Sequence, residues 1–241
     1  KKDHPGLPET AGELADCALS CQQAGAAMLH MHARDESGRH TLDAEINLRC
    51  LDAVRAKVGN DMIVQLTTES IGQYTPIQQM ALIRRCRPEA ASIAIRELVP
   101  DLAKEPAARD FFAELNAFGI ICQFIIYSVE DLHRYYYLKK VGVINGERHH
   151  LLFVIGRHNA ASEKALAELL SQFGLEVAWS VCAFGGSEHR LTSAAMALNG
   201  DVRVGFENNL WDNAGRLADH NSVLVAQSAT VAEALNRPLM T

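Results

Sequence analysis

Residues 10–33, TAGELADCALSCQQAGAAMLHMHA, carry a helix signal followed directly by a strand signal. Thr10 and Glu13 form the T-x-x-E pattern of a capping box, in which each side chain satisfies a backbone N–H left unpaired by the first helical turn. Gly25 stands where that helix would end, because glycine adopts a left-handed C-terminal cap without strain. The apolar run AAMLHMHA comes next. The order matters, since a (β/α)8 barrel opens on a strand and this sequence opens on a helix.

Six more strand-like runs follow: MIVQLTT, AASIAI, IICQFIIYS, LLFVIG, EVAWSVCAF and DVRVGFE. Together the seven begin near residues 26, 62, 90, 120, 151, 176 and 201. The spacing is roughly 25 to 35 residues, the size of one βα unit. A helical window follows each run, which gives seven strands and eight helices. The count fits a single TIM (β/α)8 barrel domain over residues 1–241, with its first strand expected upstream of Lys1. A protein that began at Lys1 would leave a gap between the first and last visible strands, weakening any site that spans it. The rival is a doubly wound open sheet, which calls for a glycine-rich G-x-G-x-x-G turn that is absent here. Strands apolar on both faces favour the barrel, whose sheet is covered by helices.

With 48% hydrophobic residues in 241, the chain can bury a sizeable core. A net charge of −6 with no basic stripe argues against a nucleic-acid partner. No apolar run is long enough to span a membrane, and no signal-peptide pattern is present. Six cysteines without a C-x-x-C pair read as reduced thiols of a cytoplasmic protein. Two of them, Cys17 and Cys21, lie one helical turn apart.

In a barrel the chemistry gathers at the C-terminal ends of the strands. His30 and His32 share a face of the first visible strand, with Met28 below them. Two imidazoles about 7 Å apart along a strand can converge on one ion. On the last run, Arg203, Gly205 and Glu207 alternate with apolar Val202, Val204 and Phe206, so Glu207 is expected to end that strand facing the barrel mouth. Barrel closure then sets Glu207 near the two histidines. Two nitrogens and one carboxylate oxygen make a three-ligand zinc site with an open position, the catalytic pattern. Ten histidines in 241 residues make the pair alone a weak signal; its position strengthens it. The alternative is a pair of histidines hydrogen-bonded near a pocket rim.

Gln65, Thr67 and Glu69 alternate on the second run, as do Ser92 and Arg96 on the third. Thr67 and Ser92 read either as substrate hydrogen-bonders or as structural hydroxyls. Glu69 and Arg96 read either as site residues or as surface charges. The paired glycines of FGGSEH suit a phosphate-binding turn or a plain tight turn. His149 and His150 are expected to be solvated. His4, His40, His133, His158, His189 and His220 are expected in loops or on helix surfaces.

The stretches LPETAGELADCALSCQQAGAAMLHMHARDESGR, RPEAAS, RVGFENN and NSVLVAQSATVAEALNRPL carry a resemblance that runs almost end to end. The chain resembles the β-keto acid cleavage enzymes, typified by 3-keto-5-aminohexanoate cleavage enzymes. The resemblance implies a zinc-bearing TIM barrel, cytoplasmic and homo-oligomeric as a tetramer. It implies exchange of a β-keto acid with acetyl-CoA, giving acetoacetate and the CoA ester of the remaining acyl group. Coenzyme A is then the co-substrate and zinc the cofactor, one per chain. His30, His32 and Glu207 match the zinc ligands, and Arg203 matches an active-site arginine. Thr67 and Ser92 match hydroxyl residues around the reacting centre.

Three positions depart from the family pattern. Asn208 stands where the type enzyme has its aspartate base. Ile125, two positions after Gln123, replaces the glutamate that holds a substrate ammonium. AIREL replaces a small, glycine-bearing turn. Without a carboxylate at Ile125, a buried ammonium has no counter-charge, so the substrate is expected not to be cationic there. Arg96 is then expected to pair an anionic substrate group. Asn208 cannot abstract a proton, so Glu69 is expected to act as base, with Glu97 the second choice. Two rivals stand beside this reading. One is a zinc hydrolase, which would recruit further histidines; the other is a barrel that only binds a ligand.

Overall fold

The computed structural model describes residues 3–146, 149–157, 161–174 and 177–239. Among the described residues strands and helices alternate, apart from the consecutive helices after the third strand. The elements are α1 (Ala11–Gln23), β1 (Met28–Met31), α2 (Ala44–Val58), β2 (Ile63–Thr67), α3 (Pro76–Cys86), β3 (Ala90–Ala94), α4 (Ile95–Leu98) and α5 (Glu105–Ala117). They continue as β4 (Ile121–Ile126), α6 (Val129–Lys140), β5 (His149–Ile155), α7 (Glu163–Ser171), β6 (Ala178–Ala183), α8 (Glu188–Ala197), β7 (Asp201–Val202) and α9 (Asn221–Ala234). The capping box at the start of α1 is present. Glu13 N donates to Thr10 Oγ1 at 3.2 Å, and Thr10 N donates to Glu13 Oε2 at 3.1 Å. Gly25, just past the helix, has φ +105°, the conformation that glycine reaches most cheaply. Among the described residues no helix is long and apolar enough to cross a membrane.

All seven strands are parallel, in the order β1 to β7. Alternation divides each strand between two environments. Leu66, Ile93, Phe124, Phe153 and Val181 are fully buried against the helices. Gln65, Thr67, Ser92, Gln123, Leu152 and Ser180 face the other way, into the barrel. In a flat sheet, six spacings of about 4.8 Å would put β1 about 29 Å from β7. Glu207, five residues past β7, instead lies 3.4 Å from His30 on β1. The sheet is therefore curled into a (β/α)8-type barrel one strand short of eight. The two sides of the site meet although β1 and β7 are not paired with each other among the described residues.

Three local expectations need correction. The last strand was expected to run to Glu207 but ends at Val202, because Gly205 at φ +144° begins a turn. A ninth helix, the single turn α4, occupies IREL where the chain leaves β3. His149 and His150 are only partly exposed and each is hydrogen-bonded. His149 lies in β5 with Nδ1 3.1 Å from Tyr135 Oη, and His150 Nδ1 accepts from Gln123 Nε2 at 2.9 Å. His158 lies outside the described residues.

Phe124 sits at the centre of the helix-facing layer, its ring 5.5 Å from Phe112 and 5.3 Å from Tyr135 between centroids. Phe124→Ala is expected to cost about 3–5 kcal/mol, the usual range for emptying a fully packed phenylalanine site. Urea unfolding measures this; a loss below about 1 kcal/mol would mean the layer collapses to fill the space.

Candidate active site

The site lies where β1, β2, β3, β4, β5 and the chain after β7 meet at the barrel's C-terminal end. His30 Nδ1 is 2.8 Å from Gln65 Oε1, its partner in the β1–β2 register. The amide oxygen only accepts, so Nδ1 carries the proton and Nε2 presents a lone pair. His32 turns Nδ1 toward Glu69 Oε2 at 3.6 Å, which leaves its Nε2 facing the same point. The two Nε2 atoms are 3.0 Å apart. Glu207 Oε2 lies 3.4 Å from His30 Nε2 and 3.3 Å from His32 Nε2.

Two imidazole nitrogens and one carboxylate oxygen thus converge on one point, the donor set that a divalent cation takes. A tetrahedral ion with bonds of about 2.0–2.1 Å would place its ligand atoms about 3.3 Å apart, close to the separations present. His30, His32 and Glu207 can therefore hold a divalent metal.

The electrostatics agree with ligand roles. Burial, then the Arg203 charge, lower the His30 pKa and keep the ring neutral, outweighing the pull of Glu207. Burial acts to raise Glu207, but Arg203 and the two imidazoles overcome it and hold the carboxyl well below the usual carboxylate range. Arg203 Nη2 donates to Glu207 Oε1 at 3.2 Å and to Cys182 Sγ at 3.3 Å.

Around this centre opens a cleft walled by Thr67, Glu69, Ala94, Ile125, Tyr127 and Arg157 among others. The pattern that defines the β-keto acid cleavage enzymes matches residues 1–241, the entire chain.

The chain belongs to the β-keto acid cleavage enzyme family.

Two relatives show the breadth of the family. A 3-keto-5-aminohexanoate cleavage enzyme of Fusobacterium nucleatum is 27% identical, covering 100% of this chain and 89% of its own. A 3-oxoadipate:acetyl-CoA acetyltransferase of Cupriavidus necator is 25% identical, covering 100% of this chain and 87% of its own. In structure, the enzyme resembles a 3-dehydroquinate dehydratase of Geobacillus kaustophilus at TM-score 0.60 and 12% identity, covering 95% and 88% of the two chains. That likeness speaks for the barrel alone.

Of the residues singled out from the sequence of this β-keto acid cleavage enzyme, His30, His32, Thr67, Glu69, Glu97, Ile125, Arg203 and Glu207 line the cleft. Four do not. Ser92 and Gln123 face inward but sit one alternation step below Ala94 and Ile125, which take the cleft positions. Arg96 falls on α4, off the strand alternation. Its guanidinium pairs with the Asp131 carboxylate and lies over the Tyr127 ring, 4.6 Å from the centroid. It does not line the cleft, where it was expected to meet a substrate anion. Asn208 is buried in the turn after Glu207, with its carbonyl accepting from Gly185 N at 2.9 Å. That bond also occupies the first N–H of the glycine turn, which favours the plain tight turn of the two readings weighed for it.

Two further residues of the site escaped sequence reading. Arg157 pairs with the Glu69 carboxylate and reaches within 4.0 Å of Glu207 Oε1. His40 was expected to be an unremarkable loop residue. It packs on His32, ring centroids 5.1 Å apart, and its Nε2 meets the Glu69 carbonyl at 2.9 Å.

Proposed function

We propose that this enzyme binds one zinc ion through His30, His32 and Glu207 and there exchanges a β-keto acid with acetyl-CoA, yielding acetoacetate and a new acyl-CoA. The observation that carries the reading is the convergence of two imidazole Nε2 atoms and one carboxylate oxygen within 3.0–3.4 Å of one another, with the far nitrogen of His30 held by Gln65. Bound there, zinc would act as a Lewis acid toward a keto oxygen and make the adjacent C–H bonds more acidic.

The chain's own groups supply the rest. Glu69 is held at the cleft wall by Arg157 and takes the proton from the carbon between the keto and carboxylate groups. The carbanion attacks the acetyl thioester, and the CoA thiolate leaves. The thiolate then attacks the original keto carbon, the carbon–carbon bond breaks, and Glu69 returns its proton to the departing acetoacetate carbanion. Arg203 offsets the negative charge that develops near Glu207. Glu97 serves less well as base. Its Oε2 already accepts from Ser70 N and Gln79 Nε2, both at 2.9 Å.

The relatives' names support the exchange with acetyl-CoA. For the acyl end of the substrate, Ile125, Ala94 and Val154 offer apolar wall, and Arg157 takes the role expected of Arg96 toward an anion. A keto acid with an ammonium at that end is expected to turn over with kcat/KM about 10²-fold below a neutral or anionic one, the scale of an unpaired buried charge. Steady-state kinetics on matched pairs of keto acids test this. Comparable turnover of the cationic substrate would sink the specificity reading while leaving the reaction type intact.

A further inference from the structure

Glu207 does not sit on a strand. The last ladder bond runs from Arg203 N to Val181 O at 2.9 Å, after which the chain leaves the sheet. Asn208 N and Asn209 N both donate to Gly205 O, at 2.8 and 3.0 Å, and close a turn around Glu207. A turn held only by its own backbone would leave the carboxylate loosely aimed.

Two side chains from other elements fasten it. Glu188, the first residue of α8, is only 2% exposed. It accepts from Gly205 N at 3.3 Å through Oε1 and from Asn209 Nδ2 at 3.0 Å through Oε2. Asn221, the first residue of α9, accepts from Phe206 N at 2.8 Å. The turn is therefore gripped on both sides of Glu207, by residues that touch none of the three donor atoms. Burying a carboxylate is costly unless it is hydrogen-bonded, and both bonds that Glu188 accepts go to this turn. Burial accordingly pushes its pKa up to about 7. The fit beside Asn221 is close: a Cβ on Gly205 would come within 2.9 Å of Asn221 Oδ1.

We propose that Glu188 and Asn221 are positioning residues that aim Glu207 at the metal, setting metal affinity and coordination geometry. This rests on the zinc reading above. The test uses chelator competition for zinc affinity, and cobalt(II) in place of zinc, whose visible absorption reports ligand geometry. Glu188→Ala and Asn221→Ala are each expected to weaken zinc binding by about 10–100-fold, the usual effect of losing a group that orients a metal ligand. The cobalt spectrum should change as well. Glu188→Gln and Asn221→Asp keep an acceptor oxygen for the turn and should recover most of the affinity. A purely structural role would lower stability but leave the cobalt spectrum of the folded variant unchanged. Wild-type affinity and spectrum in both folded alanine variants would overturn the proposal. If Glu188→Ala does not fold, Asn221→Ala decides, since its side chain is only partly buried. A wild-type chain that binds no zinc would overturn the metal reading itself, a result distinct from unchanged variants.

Discussion

Replacing both His30 and His32 with alanine is expected to strip the protein of zinc and of activity together. Each histidine supplies one donor, and Glu207 alone is a single monodentate-scale contact that cannot retain zinc against ordinary buffers. Elemental analysis of the purified double variant should find metal well below one per chain. The fold should survive. His30 and His32 lie at the mouth of the barrel, and the helix-facing layer around Phe124, Leu66 and Ile93 is untouched. Stoichiometric zinc in the double variant would place the metal elsewhere.

The second large effect concerns the base. Glu69→Gln keeps the shape and removes the proton acceptor. It is expected to lower kcat by about 10²-fold or more, the scale of general-base catalysis. The measurement must be made at saturating zinc, because Glu69 Oε2 also faces His32 Nδ1 at 3.6 Å. Loss of such a carboxylate can weaken metal binding by about tenfold or more on its own. Asn208→Asp, by contrast, should not be needed for activity, since Asn208 is buried outside the cleft. A near wild-type kcat for zinc-loaded Glu69→Gln would remove Glu69 from the base role.

The barrel was legible because parallel strands buried on both faces leave unmistakable apolar runs at βα spacing. All seven strand sites appear where the runs lie. Strand alternation also located His30 and Thr67, whose positions depend only on a period of two, while Ile125 was reached through the resemblance. Alternation failed wherever the chain stops being a strand. Arg96 shares parity with Ser92, but the chain turns helical at Ile95 and carries the guanidinium to Asp131. Arg157 has the parity of the helix-facing Phe153 and Ile155, yet Gly156 at φ +89° turns it into the cleft. His40 returns over His32 because the loop from Asp35 reverses at Gly38, where φ is +75°. Glu207 was placed near the histidines by an alternation that ends at Val202; the turn held by Glu188 brings it there instead.

The central claim is acyl exchange with acetyl-CoA at the His30–His32–Glu207 site. The most direct measurement is to supply the zinc-loaded enzyme with a β-keto acid and acetyl-CoA labelled with carbon-13 in the acetyl group, and to identify where the label goes. The labelled acetyl carbons should appear in acetoacetate, with CoA on the acyl group of the keto acid. Turnover should require both substrates and vanish in the His30→Ala/His32→Ala protein. Consumption of the keto acid without acetyl-CoA, with free carboxylic acids as products, would show a hydrolase instead and contradict the account.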